Sequence, residues 1–254
     1  MIQDLTVALY SSVKGHFSFK NSYQFTIDNL KKNLGEDFWR IKKYCNIKRS
    51  NEENERDVFL EMCDFLKSKD FYALNTCGEW SHKDSSHAVG YYKDMLSVFN
   101  SIPHTEFTFV EEDDWLIHSK DPFNYCVEVA IKFLKENKNA LCVRINSEPD
   151  KRINGATKVR EGIYRQDEDF TKFGSTFTFQ PCILRTRDWW HSLRIINNNL
   201  HLLDSVHCEI LSGQVFKQFS DDKSPFYFFD PELVWCEHIG EKEKLEKLNG
   251  ITNQ

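Results

Sequence analysis

Strand-like and helix-like segments alternate through the first 140 residues, and this alternation restricts the fold more than any other feature of the sequence. The run LTVALYSS is largely apolar, ends in two serines, and predicts a strand buried on both faces. The next segment, SYQFTIDNLKKNLG, has apolar residues at helical spacing and stops at Gly35. The segments FWRIKKYCNIK, NERDVFLEMCDFLKSKD, DFYALNTC, SSHAVGYYKDMLSVFNSI and EFTFVEEDDWLI continue as strand, helix, strand, helix and strand. We therefore predict an α/β fold with a mostly parallel central sheet flanked by helices on both faces.

The second half of the sequence is less regular. It continues with a helix in DPFNYCVEVAIKFLKEN, a strand in ALCVRIN, a strand in STFTFQPCILRT, helices in RDWWHSLRIINNN and HCEILSGQVFKQF, and strand-like aromatics in SPFYFFDPELVWCEHIG. Residues 147–172 are polar, and we expect an irregular, mobile excursion there. We expect this half to return to the same sheet, so that residues 1–240 form one domain and residues 241–254 a charged tail.

Charge and cysteine usage exclude several classes of protein. With 33 Lys and Arg against 39 Asp and Glu, the net charge is −6, which disfavours nucleic acid as a partner. The eight cysteines are widely spaced and form no C-x-x-C pair, as is typical of reduced, buried thiols. No signal peptide is recognisable, and no apolar run reaches the roughly 20 residues of a membrane span. We expect a soluble, cytoplasmic protein.

Four consecutive acids, residues 111–114, follow the predicted strand EFTFV. In open α/β sheets, ligands bind beyond the carboxyl ends of the strands. Carboxylates this close repel one another, and a divalent cation such as Mg²⁺ or Mn²⁺ is their simplest partner. A solvated acidic turn is the alternative, but apolar segments on both sides and Trp115 directly after the acids favour the metal.

His238 stands near the C-terminus in the short apolar and aromatic segment VWCEHIGE. Neutral imidazole is a ligand for divalent metals and can also hydrogen-bond to a phosphate oxygen. Taken alone, such a histidine is more often structural, and the acidic cluster about half a chain upstream makes the two interpretations about equal.

The segments FVEEDDWLI, STFTFQPCILRTRDW, HCEILSGQVF and CEHIG, in this order, resemble nucleotide-sugar glycosyltransferases of the GT-A, Rossmann-like fold. The similarity is to the short, soluble, family 2-like enzymes of bacteria and their viruses. It implies a nucleotide-binding half over about residues 1–118 and an acceptor-binding, metal-completing half over residues 119–240. It also implies Asp114 as a ligand of Mn²⁺ or Mg²⁺, with Glu112 and Asp113 beside it. His238 matches the histidine that completes the metal–diphosphate site in such enzymes.

The resemblance implies further site residues. Glu209 matches the catalytic base of inverting members best, with Asp204 as the alternative. Tyr10, Ser11 and Ser12 match the strand end that meets the nucleotide. Arg185 is a candidate phosphate ligand because guanidinium binds phosphate through two hydrogen bonds. Many members have an acidic turn that recognises the nucleobase and ribose of the donor. It has no clear equivalent in YCNIKRSNEEN, so the identity of the nucleobase is unassigned.

Three functions remain in competition. The first is sugar transfer from a nucleoside-diphosphate sugar to a hydroxyl of a glycan or glycoconjugate. The second is nucleotidyl transfer, which usually needs a glycine-rich phosphate loop, whereas YSSVKGHFSFK has a single glycine. The third is a catalytically inactive nucleotide- or glycan-binding module, because a fold can be kept when its chemistry is lost.

Overall fold

The structure is a computed structural model that describes residues 2, 4–12, 19–49, 53–77, 95–96, 98–101, 105–112, 115–147, 156–167, 180–199, 215 and 226–239. The strands are β1 Leu5–Ser12, β2 Lys42–Arg49, β3 Tyr72–Cys77, β4 Phe107–Glu112, β5 Trp115–Ser119, β6 Cys142–Arg144, β7 Ala156–Arg160, β8 Ile163–Gln166, β9 Cys182–Arg185, β10 Phe226–Phe229 and β11 Val234–His238. The α-helices are α1 Phe19–Leu34, α2 Glu53–Ser68, α3 Phe123–Glu136 and α4 Thr186–Asn198, and residues 95–96 and 98–101 are also helical.

Nine strands form one sheet in the order β3-β2-β1-β4-β9-β6-β10-β8-β7. The first four strands in this order are parallel to one another, and β6 is parallel to β10. Strand β9 is antiparallel to both β4 and β6, so β6 and β10 run in the same direction as β4. Strand β8 is antiparallel to both of its neighbours. Only β8 and β9 are therefore reversed, which confirms a mostly parallel sheet to which the second half returns.

Helices cover both faces of this sheet, as predicted. Side chains of a strand alternate between the two faces, so Val7 and Leu9 pack in the core beneath α1, α2 and α3. Ala8 and Tyr10 point to the opposite core, which includes Trp189 of α4 and buried residues between 95 and 99.

Helix α1 ends where its sequence predicts. Gly35 follows the helix with φ +56°, a left-handed conformation that glycine adopts without the steric cost of a side chain. The residues Gly35–Trp39 then form a 3₁₀ helix, and β2 begins only at Lys42. The second strand is therefore shorter at its start than FWRIKKYCNIK suggested.

The acidic motif separates two strands that belong to different sheets. Strand β4 ends at Glu112 in the main sheet, whereas β5 pairs with β11 in a separate antiparallel ribbon. The ribbon is joined to the main sheet by a bridge between Ser147 and Cys236, and the Cys236 N–H donates to the Asn146 carbonyl at 3.0 Å. The single strand predicted from EFTFVEEDDWLI is therefore two strands.

The expectation of irregular structure over residues 147–172 is wrong for residues 156–166. This part of the predicted irregular excursion is the β7–β8 hairpin, which provides the last two strands on one side of the sheet. Its turn contains Gly162, with φ +73°. Strand β7 is mostly exposed, so its side chains lack the apolar alternation by which a strand is recognised in a sequence.

The cysteines follow the pattern expected of reduced thiols. The structure describes the side chains of six of them, all six are free, and all except Cys63 are buried. Within that same part, no helix combines the length and apolarity needed to cross a lipid bilayer.

Candidate functional site

The carboxyl ends of β1, β2 and β4 lie side by side along one edge of the sheet, the edge formed by strand ends rather than by an outermost strand. Glu112, the last residue of β4, lies opposite Tyr10 of β1, which lies opposite Asn46 of β2. Tyr10 is only 4% exposed and packs in the core on its face of the sheet. Tyr10 therefore packs beneath the end of β1. Ser11 and Ser12 continue β1 beyond it, and their side chains are not among those the structure describes.

Glu111, the first residue of the acidic motif, is a buried carboxylate. It points to the opposite face from Glu112 and is 1% exposed. Burial raises the pKa of the Cys236 thiol, the negative charge of Glu111 raises it further, and the positive charge of Arg144 opposes the increase. Cys236 therefore lies within electrostatic reach of the ends of both β4 and β6, and its strand, β11, covers this edge of the sheet.

His238 ends β11 directly opposite Trp115, the first residue of β5. Their ring centroids are 4.9 Å apart and the ring planes are inclined by 57°. Side chains alternate along a strand, so His238 shares a face of the ribbon with the buried Cys236. The imidazole therefore lies on the inner face of the ribbon, beside the residue that immediately follows the acidic motif.

The outer face of the ribbon carries a second histidine. His118 stacks on Trp235, with centroids 5.3 Å apart and planes inclined by 14°. His118 Nε2 is 3.2 Å from Glu237 Oε2, and both side chains are more than one third exposed. The ribbon thus has two histidines on opposite faces, and His238 is the one paired with Trp115, the residue that follows the acidic motif.

Arg185 lies at the other end of the sheet. It pairs with Phe107, the first residue of β4, because β9 runs antiparallel to β4. Its guanidinium donates to the carbonyl oxygens of Ala140 and Asn137, both at 3.0 Å. Burial lowers the pKa of Arg185, although Asp188 and Glu106 oppose this shift. At about 3.3 Å per residue, Arg185 is roughly 17 Å from the acidic end of β4, so the structure does not bring it to the predicted phosphate site.

Arg144 is the arginine that sequence analysis missed. It ends β6 and lies opposite Cys182, which lies opposite Val110 of β4, so Arg144 is at the same edge of the sheet as the acids. Its Nε donates to Asn146 Oδ1 at 2.9 Å and its Nη2 to Gln166 Oε1 at 2.8 Å. These two amides are buried and fix the position of the guanidinium. The signal in the sequence is an arginine that directly follows an apolar strand run, in ALCVRIN.

Four predicted site residues, Asp113, Asp114, Asp204 and Glu209, lie outside the residues that the structure describes. Among the described residues, no three His, Cys, Asp or Glu side chains are grouped as metal ligands. Of the two predicted metal ligands, the structure describes His238 but not Asp114. It does describe Trp115, the residue that follows Asp114.

Comparisons with known proteins give a fold. No protein-family model matches the chain, and no curated protein matches it by sequence. Among solved structures, it is similar to GalNAc-T7 in complex with UDP, GalNAc and Mn²⁺, with a TM-score of 0.54 and 7% identity over 98% of this chain and 48% of that one. It is also similar to a putative glucose-1-phosphate thymidylyltransferase from Bacillus anthracis, with a TM-score of 0.52 and 7% identity over 98% of this chain and 96% of that one. The chain has the α/β, Rossmann-like fold of GT-A type.

Proposed function

We propose that this protein is a metal-dependent glycosyltransferase that moves a sugar from a nucleoside-diphosphate sugar to a hydroxyl of a glycan or glycoconjugate. One observation carries the proposal: His238 is paired with Trp115, so an imidazole stands on the inner face of the ribbon beside the residue that follows the acidic motif in the chain. The likeness to GalNAc-T7 supports it at the level of the fold.

The residues at this edge fit a divalent cation. Asp114 precedes Trp115 in the chain, and Trp115 is paired with His238, which supports a shared site for Asp114 and His238. A carboxylate and an imidazole are suitable ligands for Mn²⁺, and Mg²⁺ sites combine one or two carboxylates with phosphates and water. We assign Asp114 and His238 as ligands. When bound, the cation would neutralise the charge that develops on the departing diphosphate.

Other residues at the edge would hold the donor. We propose Glu112 and Asp113, which precede the proposed metal ligand in the chain, together with Ser11 and Ser12, which extend β1 beyond Tyr10. Arg144 takes the place that sequence analysis gave to Arg185, because it is the cation fixed at the carboxyl end of a strand parallel to β4. Its role would be to bind an anionic oxygen of the donor or product.

The acceptor hydroxyl requires a base, for which we propose Glu209, with Asp204 as the alternative. In an inverting transfer the hydroxyl oxygen forms a bond to the anomeric carbon while the bond from that carbon to the diphosphate oxygen breaks. The carboxylate takes the hydroxyl proton, and the nucleoside diphosphate leaves.

Nucleotidyl transfer is the second candidate, since the putative thymidylyltransferase shares the fold. A single glycine between residues 10 and 20 disfavours it, because no glycine-rich phosphate loop follows β1. The two reactions release different products: a glycosyltransferase releases nucleoside diphosphate, and a nucleotidyltransferase acting on a triphosphate releases pyrophosphate. An inactive module, the third candidate, would bind a nucleotide or a glycan and release neither.

The deciding experiment measures both products from the full chain with Mn²⁺. UDP-glucose, UDP-galactose, UDP-N-acetylglucosamine and GDP-mannose are tested as donors, and dTTP with glucose 1-phosphate tests the alternative. We expect nucleoside diphosphate from at least one donor, and a loss of about a hundredfold or more in Asp114→Asn. Asp64→Asn, an exposed acid on α2, is the matched control and should retain activity. Undiminished turnover by Asp114→Asn would contradict the proposal.

A further inference from the structure

A groove of about 440 Å³ lies on the surface beside α3, away from the acidic motif. Its walls are α3, the β7–β8 turn and the turn that connects β10 to β11. The residues that characterise it are Asp121, Tyr125, Val129, Lys132, Phe229 and Leu233. Its volume is in the range of small-molecule sites, roughly 300 to 1,000 Å³.

Helix α3 presents one continuous face to this groove. Tyr125, Glu128, Val129 and Lys132 have the spacing i, i+3, i+4 and i+7, so they lie along one side of the helix. The buried stripe of α3, which includes Val127 and Ala130, faces the core instead. The groove-facing side carries a large aromatic residue, Tyr125, that is 59% exposed. This ring does not serve the core, and it offers a flat face to a ligand.

The floor of the groove is apolar. Phe229 is buried at the end of β10, and Leu233 lies in the turn before β11. Gly162 forms part of the wall with φ +73°, and a Cβ there would be 3.2 Å from Leu233 Cδ1. Glycine at this position therefore permits both the turn and the close approach of Leu233.

The rim of the groove is polar and nearly balanced in charge. Asp121, Glu128 and Glu161 are acidic, and Lys132 and Arg160 are basic. Arg160 is held by Glu136 at 2.9 Å, whereas Lys132 forms no ion pair with any residue that the structure describes. Such a rim has no strong attraction for a polyanion or a polycation. It offers both acceptors and donors of hydrogen bonds to an uncharged ligand.

We propose that this groove binds a neutral oligosaccharide, as an anchoring site for the glycan acceptor remote from the point of transfer. A pyranose ring has an apolar face of C–H groups and an edge of hydroxyls, which matches an exposed tyrosine over an apolar floor with a mixed polar rim. The identification of the ligand as the acceptor rests on the proposed function.

The position of the groove agrees with this role. Leu233 is five residues before His238, so the groove is about 17 Å along the ribbon from the proposed metal ligand. A glycan chain that spans this distance would be bound in the groove at one end while its reacting hydroxyl, at the other end, reaches the metal site. Binding energy from such remote contacts can be used to orient the reacting group.

A second cavity of about 760 Å³ is larger but chemically different. It lies between the end of α1 and the turn before α3, and charged and amide side chains, including Lys32, Glu36, Asp37 and Arg40, dominate its lining. It has no exposed aromatic face against which a sugar ring could stack, so we assign the oligosaccharide to the groove beside α3.

The test titrates maltotriose, cellotriose and N,N′,N″-triacetylchitotriose into the full chain and measures binding by calorimetry. We expect at least one trisaccharide to bind the wild type, and Tyr125→Ala to weaken that binding by about fivefold or more. Tyr125→Phe retains the ring and should bind within about twofold of wild type. The matched control is Tyr72→Ala, on the edge strand β3 far from the groove, where the residue is 61% exposed. It should leave binding unchanged.

Two results would overturn the inference: no binding of any trisaccharide to the wild type, or equal effects of Tyr125→Ala and Tyr72→Ala. Binding of UDP and GDP with Mn²⁺ is measured on the same preparations. If a trisaccharide binds at Tyr125 but no nucleotide binds, the groove is a glycan-binding site and the proposed glycosyltransferase function is contradicted. Nucleotide turnover without trisaccharide binding would contradict the groove alone.

Discussion

His238 lies directly opposite Trp115 in the β5–β11 ribbon, with the two ring centroids 4.9 Å apart. Opposed residues in an antiparallel pair have Cα atoms about 4.5 to 5.5 Å apart. The ribbon therefore fixes the main-chain position of His238 relative to the residue that follows Asp114. A histidine from the far end of the chain is thus held beside Trp115 by the pairing of two strands rather than by a flexible loop.

This pairing predicts different effects for the two histidines of the ribbon. His238→Ala removes a proposed metal ligand, so we expect the affinity for Mn²⁺ in the presence of UDP or GDP to fall by about tenfold or more. His118→Ala alters the outer face and should change that affinity by less than about twofold, since exposed ion pairs contribute little. Electron paramagnetic resonance of free Mn²⁺ measures both. Equal affinities of His238→Ala and wild type would contradict the assignment.

Two arginines provide a second paired prediction. Arg144→Met should weaken binding of UDP or GDP by about tenfold, because a charge-assisted hydrogen bond contributes roughly 1.5 to 3 kcal/mol. Arg185→Met should leave nucleotide affinity unchanged but lower the free energy of unfolding by about 1 to 3 kcal/mol, since two carbonyl groups lose their donor. Calorimetry and urea denaturation separate the two effects. A loss of nucleotide affinity in Arg185→Met would instead support Arg185 as a ligand of the phosphate.

The misplacement of Arg185 shows which information the sequence lacks. Both CVR and CILR read as an apolar strand run that ends in an arginine. Strand β6 is parallel to β4 and carries Arg144 to the edge with the acids, whereas β9 is reversed and carries Arg185 to the opposite edge. The direction of a strand depends on the connections around it and not on its own residues. The sequence therefore predicted the strands but could not choose between their two arginines.

Other elements were predictable where burial imposes a pattern. Strand β1, buried on both faces, and helices α1 to α4, with their apolar stripes, agree with the sequence analysis. The β7–β8 hairpin was missed because β7 is an exposed edge strand. The division of the acidic segment into β4 and β5 was missed because the partner of β5, the strand Val234–His238, is more than 100 residues away.

Lys43 is a buried lysine, and we expect its replacement to cause a large loss of stability. It is 1% exposed, and its Nζ donates to the carbonyls of Phe38 and Ile41 at 2.6 and 2.9 Å and to Asp70 Oδ2 at 2.9 Å. Lys43→Met would leave two carbonyl groups without this donor, so we expect a decrease of about 2 to 4 kcal/mol in the free energy of unfolding.

The matched control is Lys120→Met, which breaks an exposed ion pair with Glu232 and should cost less than about 1 kcal/mol. Urea denaturation followed by circular dichroism gives both values. Similar unfolding midpoints for the two variants would show that the buried hydrogen bonds of Lys43 do not stabilise the fold.

The buried thiols give a prediction for pH. Burial and the charge of Glu111 raise the pKa of Cys236 well above its ordinary value, and a hydrogen bond with Cys142 together with burial does the same for Cys182. Both thiols therefore remain protonated at pH of about 8.5, where an unfolded cysteine is partly ionised. Native protein should not react with iodoacetamide at these two residues, whereas the half-buried Cys63 should react faster.

The same shifts determine how stability changes with pH. The folded state keeps protons on Cys236 and Cys182 that the unfolded state loses as pH rises through the ordinary thiol range. Their contribution to stability is complete below that range and decreases as pH rises through it, so the free energy of unfolding should fall from pH of about 8 to 10. Peptide mapping after labelling, with and without urea, identifies which thiols react. Rapid labelling of Cys236 in the native protein at pH of about 8.5 would show that its strand does not stay closed over the end of β4.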